Sequence, residues 1–173
     1  ADSGTYLRIS DKPITLGGNS MVSHTGGGAI ILAVTNNTWS QLEAGGTFMR
    51  LDLPNVLPPT STFLQGSASS KSSLVNINGN DQTIGQLKTG ISGPEARVLF
   101  SVAPATLTVN QGVVSEYNGS LTGAVTLVKT GTGALTLSGT NTTYGSFVVS
   151  NGTLIVNSTG TFGMNSTNIV VGG

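Results

Sequence analysis

The sequence predicts an all-β protein, a β-solenoid of short strands joined by Gly- and Asn-rich turns. Three observations predict this class: a composition with little charge and many small polar residues, repeated short runs in which apolar and polar residues alternate, and an internal repeat. Helix signals are missing, because no stretch of about ten residues places apolar side chains at positions i, i+3, i+4 and i+7.

The composition determines what the core is made of. Only 8% of the 173 residues are charged, whereas an average soluble domain has about 25%. Hydrophobic residues make up 37% of the chain, aromatic residues only 5%, and 25 residues are glycine. The core must therefore come mainly from Val, Ile, Leu and Ala, and the β-branched residues among them, with Thr, favour strands over helices.

Charge and cysteine content exclude several classes of partner. Seven basic and seven acidic residues cancel, and no basic stripe is present, so we expect no nucleic-acid partner. The near-zero net charge also removes the repulsion that keeps many proteins apart, which favours self-association. Without cysteine there is no disulfide or thiolate metal site, and we expect no cofactor.

No apolar run reaches the roughly 18 residues of a membrane span, and the sequence opens without a signal peptide.

Short strands are predicted where apolar and polar residues alternate, most clearly at residues 107–109, 125–128, 134–137 and 153–156. Turn formers lie between such runs, at residues 17–19, 78–80, 118–119 and 151–152, because Gly and Asn accept left-handed backbone angles. Two excursions from the stack are predicted. One is a proline-rich loop at residues 53–60, and the other is a break at residues 93–103, between Pro94 and Pro104.

An internal repeat favours the solenoid over a sandwich or a barrel. Residues 24–32 align with residues 129–137, and residues 35–39 with residues 140–144, both at an offset of 105. We interpret the chain as a single β-solenoid domain, residues 1–173, with two degenerate repeat units at about 14–104 and 105–173, the second truncated.

The repeat resembles a known family. Residues 129–141 (KTGTGALTLSGTN) and 150–157 (SNGTLIVN) are similar to the autotransporter-associated β-strand repeat of bacterial secreted and surface proteins, and residues 55–58 and 77–85 look like its spacers. The resemblance implies a right-handed parallel β-helix in a secreted, extracellular or cell-surface protein, with no catalytic residues. The first unit departs from the pattern at residues 33–34 and 43–44, and residues 1–173 contain nothing like the membrane barrel in which an autotransporter ends.

The acidic residues do not predict an enzyme. They are widely spread, and only stacking of coils could bring two of them together, for example Asp81 and Glu116. The seven acids are Asp2, Asp11, Glu43, Asp52, Asp81, Glu95 and Glu116. His24, the sole histidine, aligns with Lys129, and a polar residue before a Thr-Gly turn is expected to be solvated. We therefore expect no catalytic residue and no metal ligand.

Two aromatic residues are candidates for contacts at the surface. Trp39 and Tyr144 occupy the same repeat position, where an aromatic ring either stacks on a sugar or, as we favour, packs over the edge of a coil. The loop region 54–73 is the other surface that could meet a glycan or a host surface. Thr-x-Thr pairs, such as Thr106/Thr108 and Thr140/Thr142, are typical of ice-binding solenoids, but they do not recur at coil spacing, so ice binding is a remote alternative.

These observations predict a non-catalytic structural protein, either a subunit of a self-assembling surface filament or a segment of a repetitive stalk. Neither terminus shows a capping helix, so we expect end-to-end or lateral association of copies. The alternative is an adhesin that binds glycans through loops on a β-helix. A polysaccharide-acting enzyme and an ice-binding solenoid are more remote alternatives.

Overall fold

A computed structural model describes residues 6–24, 27–46, 48–66, 72–90, 96–157 and 169–171. Strands form the regular structure throughout these residues. They are β1 (Tyr6–Ile9), β2 (Met21–His24), β3 (Ala29–Leu32), β4 (Gln41–Ala44), β5 (Phe48–Leu51), β6 (Thr62–Gln65), β7 (Ser73–Asn76), β8 (Gln82–Ile84), β9 (Gln86–Thr89), β10 (Arg97–Asn110), β11 (Ser115–Tyr117), β12 (Ser120–Thr130), β13 (Ala134–Leu137), β14 (Thr142–Thr143), β15 (Phe147–Val149), β16 (Thr153–Val156) and β17 (Ile169–Val171).

The strands stack as a parallel β-helix of about seven coils, as the sequence predicts. The first face carries β1, β3, β5, β7, the first halves of β10 and β12, and β14. The second face carries β8, the second halves of β10 and β12, β15 and β17. The third face consists of two sheets, β2-β4-β6-β9 and β11-β13-β16. Strands β10 and β12 each bend around a corner and so belong to two faces.

Coil length varies along the stack. Residues that lie directly above one another are separated by as few as 19 residues, from Ala29 to Phe48, and by as many as 26, from Phe48 to Leu74. Each coil places apolar side chains inward, and these form one buried cluster from Ile30 to Phe147. Burial of this aliphatic column is the main stabilising term of a solenoid, because each coil covers the core of its neighbours.

Glycine and asparagine make the corners, as expected. Asn78 and Gly79 both have positive φ, at 54° and 74°, and Gly152 has a φ of 76°. At other corners the backbones of successive coils come so close that a side chain would not fit. A Cβ built on Gly145 would lie 2.1 Å from the carbonyl oxygen of Val125 in the coil below.

The two predicted excursions have different outcomes. The proline-rich loop at 53–60 is outside the strands, but Val56 and Leu57 are buried in the core, so the loop takes the place of a second-face strand. The predicted break is wrong for residues 97–103, which belong to β10, and residues 91–95 lie outside the described residues. Pro104 is accommodated because the register shifts between Ser101 and Ala105, and the three residues between them are exposed.

The offset of 105 residues is not a structural repeat. It aligns β3 with β13, but β3 lies on the first face and β13 on the third. The similarity therefore reflects shared strand and corner chemistry, and the unit that repeats in space is the coil.

Candidate functional site

A polar groove lies on the third face, where its two sheets fail to join. β9 and β11 are neighbours, but no ladder connects them. Instead, the hydroxyl of Ser115 donates to the carbonyl oxygen of Leu87 at 2.8 Å, and the backbone N–H of Asn118 donates to Oγ1 of Thr89 at 3.4 Å. Because side chains replace the regular backbone bonds here, the strands leave a groove of about 400 Å³ between them.

Opposite charges line the two walls of this groove. Lys88 and Gln86 project from β9, and Glu116 projects from β11, where it accepts a hydrogen bond from the hydroxyl of Ser138. Lys88 is half-buried and makes no hydrogen bond or ion pair with any described residue. Exposed Val114 adds an apolar rim. The sequence analysis missed this groove, since no local pattern reveals that β9 and β11 do not pair.

The first coil leaves part of the core uncovered. Leu7 heads an inward column whose next five members are each no more than 7% exposed, yet Leu7 itself is 59% exposed. The column runs Leu7, Ile30, Met49, Val75, Leu99 and Leu121. At the other end of the third face, Leu154 and Val156 of β16 are only half-buried, whereas their partners Leu135 and Leu137 on β13 are fully buried.

An apolar stripe runs along the outside of the first face. It consists of outward side chains stacked in register: Tyr6, Ala29, Phe48, Leu74 and Val98. Tyr6 and Leu74 are exposed, and Phe48 and Val98 are half-buried. Continuous exposed apolar surface of this kind is typical of interaction sites.

The second face carries a regular array of small side chains, called here the threonine face. Its three rows are Thr106/Thr108/Asn110, Thr126/Val128/Thr130 and Ser146/Val148/Ser150, which stack in register. Thr108 also lies above Thr83 on β8. As expected, the pair Thr106/Thr108 does not recur at coil spacing, because Val128 stacks on Thr108 and Val148 stacks on Val128. What recurs in register is a row of small, uncharged side chains.

The two aromatic candidates differ in exposure. Trp39 is 4% exposed and belongs to the core, so it packs as we favoured and cannot serve as a surface contact. Tyr144 is 57% exposed, between β14 and β15. The repeat alignment did not distinguish them because its offset joins different faces.

The expected solvation is wrong for Lys129, whereas His24 is partly exposed. Lys129 is buried, because it is an inward residue of β12 and packs its alkyl chain into the core. Its ammonium donates to the carbonyl oxygens of Thr130 and Gly131, and burial lowers the pKa of Lys129. His24 is half-buried on β2, with Nε2 3.1 Å from the carbonyl oxygen of Gly28, and burial lowers its pKa.

The described carboxylates lie apart and have separate partners. Asp81 accepts a hydrogen bond from the amide of Thr106 on the second face, whereas Glu116 lies on the third, so the suggested pair does not form. Glu43 accepts from Ser23, and Asp52 binds two arginines. Within the described residues no three acids or histidines group as metal ligands, and Asp2 and Glu95 lie outside them.

Sequence reasoning also missed a buried polar cluster behind the groove. The hydroxyl of Tyr117 donates to Oε1 of Gln65 at 2.5 Å, and Nε2 of Gln65 donates to the carbonyl oxygen of Ser73 at 2.9 Å. Burial raises the pKa of Tyr117, so the phenol stays neutral and keeps donating. Its partner is 52 residues away, and no local sequence signal links the two.

Comparisons with protein-family models, curated proteins and solved structures find no match to this chain. The resemblance to the autotransporter-associated repeat therefore stays a prediction. No helix in the described part of the chain is long and apolar enough to cross a membrane.

Proposed function

We propose that this chain is a non-catalytic structural solenoid of an extracellular or cell-surface assembly, in which copies stack end to end. The observation that carries the proposal is the uncovered core at Leu7, at the head of an otherwise buried column. Exposed apolar core surface is unfavourable by about 25 cal/mol per Å². A further coil of the same geometry would bury it and pair the edges of β1 and β2 that no described strand occupies.

The two ends of the third face support a head-to-tail arrangement. Among the residues that the structure describes, β2 at one end and β16 at the other are paired on one side only, so a second copy would offer each edge a parallel strand. A contact between unlike surfaces that does not close into a ring gives an open filament. The apolar stripe supports lateral association of such filaments, and the near-zero net charge opposes neither contact. The extracellular location rests on the resemblance of residues 129–141 alone.

The substitution Leu7→Arg tests the proposal. A charge at the open end of the core removes the apolar contact and adds a desolvation cost, so we expect sedimentation velocity to show large assemblies for the wild type and monomers for Leu7→Arg. Val113→Arg is the matched control, since Val113 is also exposed, at 55%, but lies on the corner between β10 and β11. A wild type that stays monomeric up to millimolar concentration would contradict end-to-end assembly.

The threonine face favours ice binding as a second candidate function. Its nine side chains are uncharged, none is larger than Asn, Thr or Val, and the only lysine of these strands, Lys129, points inward. Rows about 4.8 Å apart and columns about 6.7 Å apart follow from strand geometry. A regular array of methyl and hydroxyl groups at these spacings would hold bound water in a repeating pattern.

Thermal hysteresis and incorporation into growing ice test this candidate. Thr126→Tyr places a ring in the middle row, and we expect both measurements to fall at least tenfold. Thr136→Tyr makes the same change at a half-buried outward position of the third face in the same coil, and we expect it to behave like the wild type. Equal effects of the two substitutions, or no incorporation of the wild type, would exclude ice binding.

A further inference from the structure

We propose that the groove between β9 and β11 is a binding site for a neutral saccharide. The site is distinct from both the open first coil and the threonine face. Its volume of about 400 Å³ is within the range of about 300–1,000 Å³ that small-ligand sites occupy. Five of its eight lining residues belong to β9 and β11, so strands of two stacked coils fix most of its geometry, and the other three flank these strands.

The polar groups of the groove match the chemistry of sugar hydroxyls. A hydroxyl both donates and accepts, and the groove offers both functions on facing walls. Lys88 donates from β9, Glu116 accepts from β11, and the amide of Gln86 does both. Vicinal hydroxyls that bridge Lys88 and Glu116 would make two charge-assisted hydrogen bonds, which are stronger than neutral ones.

The unpartnered ammonium of Lys88 is the observation that points to a ligand. Lys88 is half-buried at the groove, and its ammonium has no acceptor among the described residues, whose two ion pairs are both made by Asp52. Glu116 lies on the opposite wall, but the two charges do not pair with each other. A ligand between them would satisfy Lys88 while Glu116 keeps its bond to Ser138.

The balance of charge selects a neutral ligand over an ionic one. One cation and one anion face the groove, so a phosphate or carboxylate ligand would meet Glu116 and a cationic ligand would meet Lys88. Like charges at close range disfavour both. Val114 at the rim gives an apolar contact for the C–H face of a sugar ring.

A glycan array followed by calorimetric titration with the tightest neutral oligosaccharide tests the site. We expect Gln86→Ala and Lys88→Met each to weaken binding at least fivefold. The matched control is Gln41→Ala, because Gln41 lies in the same outward column on β4, two coils from Gln86. It should bind like the wild type, and circular dichroism should show all three variants folded.

Three results would overturn the proposal: an array with no neutral glycan bound, an equal loss in Gln41→Ala, or binding only of anionic glycans that Lys88→Met alone abolishes. These results leave the assembly proposal untouched, because sedimentation of the same variants measures stacking separately. Conversely, if the protein is monomeric but binds the saccharide with the expected variant pattern, the proposal for the groove is supported and the proposal of end-to-end assembly is contradicted.

Discussion

Asp52 ties separate coils together through one carboxylate. Arg8 in the first coil donates to Oδ2 at 2.6 Å, and Arg50 in the third donates to both carboxylate oxygens. Asn78 in the fourth coil adds a bond to Oδ1 at 3.2 Å. The hydrogen bonds from Arg50, followed by those from Arg8, hold the pKa of Asp52 below its ordinary value.

Asp52→Asn is expected to lower the free energy of unfolding by about 0.5–1 kcal/mol at pH 7, a small effect because the arginine side chains are 44% and 37% exposed and screened by solvent. The lowered pKa means that the folded state binds the proton less tightly than the unfolded chain. The stabilisation is therefore present above the ordinary pKa of about 4 and is lost as the pH falls through the lowered value.

Urea denaturation of the wild type and of Asp52→Asn from pH 7 to pH 2 measures how the difference in their free energies of unfolding depends on pH. The gap between wild type and Asp52→Asn should close as the pH falls. Asp11→Asn serves as control, because Asp11 is exposed and interacts only with the neighbouring Ser10 hydroxyl among described residues. A gap that stays constant to pH 2 would mean that the carboxylate charge contributes nothing.

At the scale of the element, corner glycines determine how closely the coils stack. A side chain at Gly145 would collide with the backbone of Val125, and backbone cannot move aside as a flexible side chain can. Gly145→Ala should therefore lower the free energy of unfolding by about 2 kcal/mol or more. Gly112→Ala is the control, since a Cβ there meets nothing within 4 Å, and it should change stability by no more than about 0.5 kcal/mol. Denaturant titration compares the two, and similar losses would contradict close corner stacking.

Strands were predictable from sequence where apolar residues alternate, as in 134–137, now part of β13. The assignment of strands to faces was not predictable, since coils of 19 to 26 residues leave no fixed period to detect. The groove was missed for the same reason. It depends on Ser115 taking the place of a ladder bond to Leu87, a contact between coils that only the register reveals.

At the scale of the whole molecule, the solenoid behaves as a one-dimensional stack in which each coil is stabilised by its two neighbours. Within the described part of the chain, Leu7 is stacked on one side only, and so are the strands β2 and β16 at the two ends of the third face. In the proposed assembly, a second copy would stabilise each end in the way that neighbouring coils stabilise the interior of the stack. This is the physical basis of the proposed assembly, and it does not depend on the family resemblance.

Electron microscopy of the purified chain at high concentration tests the central claim most directly. About seven coils at about 4.8 Å each give a unit of about 34 Å. We expect the wild type to form filaments that have the width of one solenoid and are many units long. We expect the Leu7→Arg variant to form none. Isolated rods of unit length at every concentration of the wild type would contradict it.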